Sequence, residues 1–283
     1  MEIFEKAPAK INLGLDVLYK RTDGYHELEM IMASVDLADR LTFERLDEDK
    51  IILETNKAFL PLDKRNNVYQ AAEKIKRRYG ITDGVKISVQ KAIPVSAGLG
   101  GGSSDCAATL RGLNRLFDLN LSMEEMIQIG VEIGTDVPFC LHGSTAHILG
   151  KGEIVQTLPS MPASWVVLVK PKISVSTRKI FQQVELEQLH HPDMSRLKQA
   201  IEQQNYAEMV ASMGNSLESI TIPRYPVVQQ IKDRMMSYGA DIALMSGSGP
   251  TVFALCQKQS RAQRIVNALK GFCDEVYLVR TLH

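Results

Sequence analysis

The sequence has no excess of charge of either sign, because 33 lysine and arginine residues balance 33 aspartate and glutamate residues. Proteins that bind nucleic acid or an anionic membrane through bulk charge carry a basic excess. We therefore expect neither a nucleic acid nor a membrane as a partner. Any anion that this protein binds must be held by a local group of donors.

Long apolar runs and paired cysteines are also missing. No apolar run approaches the roughly 18–20 residues that span a bilayer, and the first residues lack the basic-then-apolar pattern of a secretory signal. The four cysteines are scattered, with neither a Cys-x-x-Cys pair nor the spacing of metal ligands. These absences predict a cytoplasmic protein with reduced, buried thiols. No feature of the sequence indicates an oligomeric state.

What is present is a globular composition, with 45% hydrophobic and 23% charged residues in a chain of 283. This length suits one large or two modest domains. Pro159 and Pro162 precede a strand-like run, so we predict an N-terminal domain over 1–160 and a C-terminal domain over 161–283.

Apolar periodicity predicts the elements. Alternation predicts strands through much of 1–60 and at 85–89, 165–169, 243–245 and 251–255. Helical spacing predicts helices at 68–79 (capped by Asn66 or Asn67), 107–116, 123–133 (capped by Ser122), 194–204, 206–218 and 225–238. Strands and helices mix without a regular βαβ rhythm, which favours the α+β class over a doubly wound sheet.

The strongest chemical signal is the glycine-rich segment 98–105, where four of the first five residues are glycine and a predicted helix follows. Without Cβ atoms, backbone N–H groups can converge on an anion. A helix N-terminus adds donors and the positive end of a dipole. The segment therefore predicts a phosphate site, with a flexible turn as the alternative. Ser103 and Ser104 could cap the helix or hydrogen-bond phosphate and a Mg²⁺-bound water.

Three known nucleotide loops are excluded. No Gly-Lys-Ser/Thr follows, as a Walker A loop requires. The protein-kinase tripeptides His-Arg-Asp and Asp-Phe-Gly are missing. A Rossmann fingerprint would need a regular βαβ series around the loop.

Four other features have both a structural and a chemical interpretation. The glycine turn 246–250 alone fits an ordinary hairpin. Asp136, the one acid in the apolar stretch 134–139, either caps a helix or does catalytic work. Lys10 is either a strand-edge charge or an inward lysine that needs an anionic partner. The segment 23–26 is a good turn, and physics alone does not separate a turn from a site there.

Together these motifs resemble those of the GHMP kinases, in the same order and spacing from residue 7 to about residue 255. The glycine loop and the motif around Asp136 are shared across that superfamily, whereas the motifs at residues 7–13 and 23–26 point to one enzyme within it. The motifs are Ala7-Pro8-Ala9-Lys10-Ile11-Asn12-Leu13, Asp23-Gly24-Tyr25-His26, Pro94 to Asp105, Gly134-Thr135-Asp136-Val137-Pro138-Phe139 and Met245-Ser246-Gly247-Ser248-Gly249-Pro250-Thr251-Val252-Phe253.

The resemblance implies a two-domain α+β fold, with ATP bound by the N-terminal domain and the active site in the cleft between the domains. It implies transfer of the γ-phosphoryl group of ATP, with Mg²⁺, to the 2-hydroxyl of a cytidine-diphosphate-linked methylerythritol, in non-mevalonate isoprenoid precursor biosynthesis. Two positions depart from the pattern: Ser144 stands where a glycine is usual, and Cys106 where an alanine is usual.

The resemblance also implies roles for single residues. Lys10 and Asp136 match the catalytic pair, in which the acid accepts the hydroxyl proton or orients the hydroxyl and the lysine is its electrostatic partner. The residues that match the ATP-phosphate loop are Pro94, Val95, Ser96, Ala97, Gly98, Leu99, Gly100, Gly101, Gly102, Ser103 and Ser104. The residues that match substrate contacts are Asn12 for the erythritol, Tyr25 and His26 for the cytosine, and Phe181 for the other cytosine face.

Two other functions remain open on the sequence. A GHMP kinase acting on mevalonate or homoserine would phosphorylate its substrate without a cytidine group and would be indifferent to Tyr25→Ala. A non-catalytic nucleotide or sugar sensor on the same scaffold would typically lack the catalytic acid or lysine, whereas Asp136 and Lys10 are both present.

Overall fold

The structure, a computed structural model, describes residues 2–282. The strands are β1 Glu2–Lys20, β2 His26–Leu46, β3 Ile51–Thr55, β4 Gly84–Gln90, β5 Thr145–Gly150, β6 Ile154–Thr157, β7 Trp165–Lys170, β8 Gly214–Asn215, β9 Ile242–Met245, β10 Val252–Cys256 and β11 Glu275–Arg280. The helices are α1 Asn67–Tyr79, α2 Gly101–Leu116, α3 Met123–Val131, α4 Val137–His142, α5 Thr177–Phe181, α6 Met194–Glu202, α7 Tyr206–Ser212, α8 Glu218–Arg224, α9 Val227–Ser237 and α10 Gln259–Lys270, with a 3₁₀ turn at Leu186–Gln188.

The chain forms two compact units, and each contains several separate segments. Unit 1 contains the residues up to Ala9, Leu37–Val95 and Gly100–His142. Unit 2 contains Lys10–Asp36, Ser96–Leu99 and the chain from Gly143 onward. Unit 2 thus includes stretches that precede the predicted domain boundary at residue 160, and that boundary, as a division of function, stays a prediction.

In unit 1, four helices accompany a small sheet. Strand β4 pairs in parallel with β3 and antiparallel with the Arg40–Leu46 part of β2. Helix α2 packs against α1, α3 and α4. Gly112 of α2 lets the helix approach the sheet, because a Cβ there would clash with the ring of Phe43. The buried face of α1 consists of Val68, Ala71, Ala72, Ile75 and Lys76.

In unit 2, a four-stranded antiparallel sheet has the order β11-β7-β10-β9. Helices α9 and α10 pack against this sheet. A second group of strands joins β5 to β6 and to the Leu28–Ala33 part of β2, and β8 pairs in parallel with β1 at Gly14 and Leu15. Ser144, just before β5, has φ +57°, which explains why glycine would suit that position.

Most of the predicted elements are confirmed. The side chain of Asn66 caps α1 by accepting a hydrogen bond from the Val68 N–H. Ser122 caps α3 in a reciprocal capping box with Glu125. The turn at 246–250 connects the antiparallel strands β9 and β10. The α+β class is confirmed as well.

Two helix boundaries were predicted wrongly. The predicted helix 206–218 ends at Ser212, since Gly214–Asn215 forms β8 beside β1. A Cβ at Gly214 would lie 2.9 Å from Cβ of Pro192, so this strand needs glycine for its close packing. Helix α2 starts at Gly101 rather than at residue 107, because its first residues are glycines and serines that local propensity assigns to a loop.

None of the helices in the described part of the chain is long and apolar enough to cross a membrane.

Candidate active site

The N-terminus of α2 forms one side of the glycine loop, within unit 1. Gly100 precedes the helix with φ +69°, and no side chain caps the first turn. Gly102 is exposed, so the backbone is accessible at that point. Ser104 is buried, and its hydroxyl has no hydrogen-bond partner among residues 2–282. An accessible glycine backbone at a helix N-terminus suits a phosphate group.

The preceding part of the loop lies in unit 2 and contacts the second glycine turn. Gly98 has φ +76°, and a Cβ there would clash with the carbonyl oxygen of Ser246. The Ser246 hydroxyl donates a hydrogen bond to the Gly98 carbonyl at 2.9 Å. The turn 246–250 therefore has a role beyond connecting two strands, since it supports the glycine loop.

Lys10 is an inward lysine and not a strand-edge charge. It lies on β1, which has β2 and β8 as neighbours in the sheet order, and it is only 5% exposed. Its Nζ donates to Oδ1 of Asn12 at 2.8 Å, and its backbone N–H donates to the Leu99 carbonyl at 3.0 Å. A Cβ at Gly247 would lie 3.6 Å from Nζ of Lys10. Unit 2 thus brings together Lys10, Asn12, the Ser96–Leu99 part of the glycine loop and the second glycine turn.

Asp136 lies directly before α4 in unit 1. It occupies the position before the first helical residue, and its carbonyl accepts a hydrogen bond from the Cys140 N–H at 3.1 Å. The side chain is half-buried. A Cβ at Gly134 would lie 3.4 Å from Oγ of Ser103, so this motif lies beside the first turn of α2. Unit 1 thus brings a half-buried carboxylate close to the helical part of the glycine loop.

His26 and Phe181 meet in unit 2, with ring centroids 5.5 Å apart. A pocket of about 400 Å³ adjoins His26 and is lined by Lys20, His26, Val184, Glu185, Leu186, Glu187 and Gln188. Burial, and then the charge of Lys20, lower the pKa of His26 from its usual 6.5. The imidazole is therefore neutral at pH 7 and presents one donor and one acceptor.

The environment of Tyr25 differs from that of the adjacent His26. Its side chain is 55% exposed, and Nζ of Lys151 lies 4.9 Å from the ring centroid. An exposed ring with a cation near it offers a flat surface on which a base could stack.

Sequence analysis missed Asn215, which holds the second glycine turn in place. Its amide donates to the carbonyls of Met245 and Gly247 at 2.7 and 2.8 Å, and its Oδ1 accepts from the Leu217 N–H. Asn215 lies in the segment that was predicted as a helix, and its partners are about 30 residues away in sequence. Local pattern carries no signal for such a contact.

Comparison with known proteins places the chain in a family. Residues 66–144 match the profile of the GHMP kinases N terminal domain, and residues 186–275 match that of the GHMP kinases C terminal domain. A 4-diphosphocytidyl-2-C-methyl-D-erythritol kinase of Enterococcus faecalis is 64% identical over 282 residues, which cover 100% of each chain. The counterpart in Listeria monocytogenes serotype 4a is 55% identical over 99% of this chain and 96% of its own.

Solved structures agree with these relatives. A crystal structure of 4-(cytidine 5'-diphospho)-2C-methyl-D-erythritol kinase superposes with a TM-score of 0.85 at 32% identity over 100% of both chains. A homoserine kinase from Cytophaga hutchinsonii shares the fold, with a TM-score of 0.79 at 23% identity over 98% of this chain and 94% of its own. The chain therefore belongs to the GHMP kinases and, within them, to the 4-diphosphocytidyl-2-C-methyl-D-erythritol kinase family. It is an ATP-dependent kinase, and the resemblance drawn from its motifs is confirmed.

Proposed function

We propose that this kinase transfers the γ-phosphoryl group of ATP to the 2-hydroxyl of 4-diphosphocytidyl-2-C-methyl-D-erythritol, in non-mevalonate isoprenoid precursor biosynthesis. The observation that carries this choice of substrate is the pocket lined by the neutral His26, whose ring centroid lies 5.5 Å from that of Phe181. A planar base with donors and acceptors on one edge fits this chemistry, whereas mevalonate and homoserine carry no such group. The full-length relatives of this chain carry the name of the same substrate.

In this proposal the phosphates of ATP bind at the glycine loop, Pro94 to Ser104. The backbone there is free of Cβ atoms at Gly98, Gly100, Gly101 and Gly102. The positive end of α2 and its first N–H groups offset the phosphate charge. A chain with zero net charge can therefore bind a polyanion without a basic surface.

Mg²⁺ fits this site as an ion bound by the nucleotide. Residues 2–282 contain no group of three or more His, Cys, Asp or Glu side chains that could form a cage around a metal. Mg²⁺ keeps several waters and usually binds through substrate phosphates. The buried Ser104 hydroxyl, which lacks a partner among the described residues, suits a hydrogen bond to phosphate or to a Mg²⁺-bound water. When bound, the ion would neutralise charge on the phosphates.

Asp136 and Lys10 act on the acceptor hydroxyl in this proposal. As the bond from the 2-hydroxyl oxygen to Pγ forms and the bond from Pγ to the bridging oxygen of ADP breaks, the hydroxyl proton leaves the oxygen. Asp136 accepts this proton or orients the hydroxyl. Lys10, held by Asn12, stabilises negative charge on the transferring group. Asn12 also contacts the erythritol.

The cytosine binds between aromatic side chains. Phe181 and the exposed ring of Tyr25 supply flat surfaces for stacking, and His26 hydrogen-bonds the edge of the base. Three wider expectations stay predictions: an ATP-binding domain over 1–160, a cytoplasmic location, and the lack of nucleic-acid or membrane partners.

The test is ADP release from Mg²⁺-ATP with three acceptors side by side: 4-diphosphocytidyl-2-C-methyl-D-erythritol, mevalonate and homoserine. We expect turnover with the first acceptor only. Turnover with mevalonate or homoserine would keep the kinase chemistry but discard the cytosine site. ATP binding without turnover on any acceptor would support a sensor instead of an enzyme.

A further inference from the structure

A short segment of unit 1, Lys91–Ile93, leads from β4 into the glycine loop and is held by side chains. The N–H of Lys91 donates to Oδ1 of Asn56 at 2.9 Å, and its carbonyl accepts from Nδ2 of Asn56 at 3.1 Å. The N–H groups of Ala92 and Ile93 both donate to Oδ1 of Asp39, at 2.6 and 2.8 Å. All three backbone donors are thus bonded to side chains, which fixes the path of the chain just before the loop.

The side chain of Lys91 connects this segment to α2. Its ammonium group pairs with Oδ2 of Asp39 and, at 2.6 Å, with Oδ2 of Asp105. Asp105 is the fifth residue of α2. A Cβ at Gly101, the first residue of the helix, would lie 3.1 Å from Cγ2 of Ile93 and 3.4 Å from Nζ of Lys91. The held segment and the helix that ends the glycine loop are therefore in direct contact.

The cluster of Lys91, Asp39 and Asp105 places three ionisable side chains in the protein interior. Lys91 and Asp105 are 7% and 5% exposed, Asp39 is fully buried, and the three groups together carry one more negative charge than positive. Oδ1 of Asp105 has no hydrogen-bond partner among residues 2–282. Burial, and then the charge of Asp39, raise the pKa of Asp105 to about 7 against the opposing effect of Lys91. Buried ion pairs are often no more stabilising than apolar side chains of the same size, and an unpaired buried oxygen adds a further penalty. Burial of Asp105 is therefore weak evidence for a role in stability alone.

We propose that Asp105, acting through Lys91, is a positioning residue that fixes the segment Lys91–Ile93, which leads into the glycine loop, relative to the first turn of α2. The inference rests on the proposed binding of ATP phosphates at that loop. Through Asp39 and Asn56, the cluster connects Lys91–Ile93, which precede the loop, to α2, which follows it. The N–H groups in the first turn of α2 then stay in place relative to the chain that enters the loop, so that binding of the phosphates costs less ordering of the loop.

The test compares variants at Asp105. Asp105→Ala removes the ion pair that connects Lys91 to α2. It leaves the Lys91–Asp39 ion pair, which has no net charge, so we expect a folded protein. We expect KM for ATP to rise about tenfold or more, as for loss of one charge-assisted hydrogen bond, with KM for the phosphoryl acceptor unchanged. Asp105→Asn still accepts a hydrogen bond from Lys91 and should keep KM for ATP within about threefold of the wild-type value.

A matched control removes another buried polar group from the same helix. Within residues 2–282 the hydroxyl of Thr109 bonds only the carbonyl of Asp105 in its own helix, at 2.7 Å, and Thr109→Ala should leave KM for ATP unchanged. A lower melting temperature for Asp105→Ala with an unchanged KM for ATP would overturn the inference. If Asp105→Ala does not fold, Asp105→Leu, of similar shape, is measured against the same criterion.

Gly102→Val separates this inference from the proposed ATP site, because a Cβ at that exposed glycine would lie 3.4 Å from Nδ2 of Asn67 and away from Lys91. If Gly102→Val removes ATP binding while Asp105→Ala leaves KM for ATP unchanged, the positioning role fails and the ATP site stands. If Gly102→Val leaves ATP affinity intact, ATP binds elsewhere and both proposals fail.

Discussion

At the scale of single residues, the most informative side chain is Asp136, a half-buried carboxylate beside the first turn of α2. Asp136→Asn keeps the size of the side chain but removes its ability to accept a proton. We expect kcat to fall by roughly 10²-fold or more, as for loss of a positioned acid–base group, with ATP affinity nearly unchanged. Steady-state kinetics with isothermal titration of ATP measure both quantities.

The control for this substitution is Asp118→Asn, which changes an exposed aspartate in the turn after α2. It should leave kcat unchanged. Near-normal turnover in Asp136→Asn would remove this residue from the chemistry, and a matching loss of ATP affinity would assign it to nucleotide binding instead.

His26 gives a prediction about pH. Burial and Lys20 lower its pKa below 6.5, so the ring is neutral at pH 7 and above and gains a proton only as the pH falls through that lowered value. The protonated ring loses its acceptor and adds a charge beside Lys20. We therefore expect KM for the cytidine substrate to be flat from pH 8 to 7 and to rise on acidification below 6.5.

His26→Ala should raise KM at all pH values and remove this rise, whereas the exposed His190→Ala should retain the wild-type profile. The measurement is KM for the cytidine substrate from pH 5.5 to 8. A change in kcat alone would contradict the role of His26 in binding the base.

At the scale of elements, the start of α2 is where the proposed function places the phosphates of ATP. Valine at position 101 would place its Cβ 3.1 Å from Cγ2 of Ile93 and 3.4 Å from Nζ of Lys91, so the first turn of α2 would have to shift to accommodate it. We expect Gly101→Val to abolish measurable ATP binding while the far-ultraviolet circular dichroism spectrum stays that of the folded protein.

Gly271→Val is the matched control, because no atom lies within 4 Å of a Cβ at that glycine. It should bind ATP like the wild type. Titration calorimetry measures the ATP affinity of both variants. ATP binding by Gly101→Val would place the phosphate site elsewhere in the protein.

The elements also show what a sequence can and cannot predict. The caps of α1 and α3 were predicted because a side chain bonds the backbone two or three residues away, and the glycine loop was recognised because four of five consecutive residues are glycine. β8 was missed because Gly214 and Asn215 gain their structure from β1, some 200 residues earlier. The contacts of Lys91 with Asp39 and Asp105 span 52 and 14 residues, and no periodic pattern indicates them.

At the scale of the whole molecule, zero net charge is compatible with binding anionic substrates because charge is arranged locally. The chain has zero net charge, yet its proposed substrates are a nucleoside triphosphate and an ester of cytidine diphosphate. In the proposed function, glycine backbones, a helix N-terminus and single lysines replace the basic surface that nucleic-acid-binding proteins use. The sequence could predict these local features, but it could not predict the side-chain contacts between distant segments that keep them in place.

The burial of the thiols has a consequence for how opening of the molecule can be followed. All four cysteines are buried, with Cys106 and Cys140 in unit 1 and Cys256 and Cys273 in unit 2. Burial raises the pKa of Cys106 and raises that of Cys256 to about 11, so neither is a thiolate in the folded state at neutral pH. An alkylating reagent therefore reaches each thiol only when the structure around it unfolds transiently. The chain carries two pairs of natural reporters, one pair for the local unfolding of each unit.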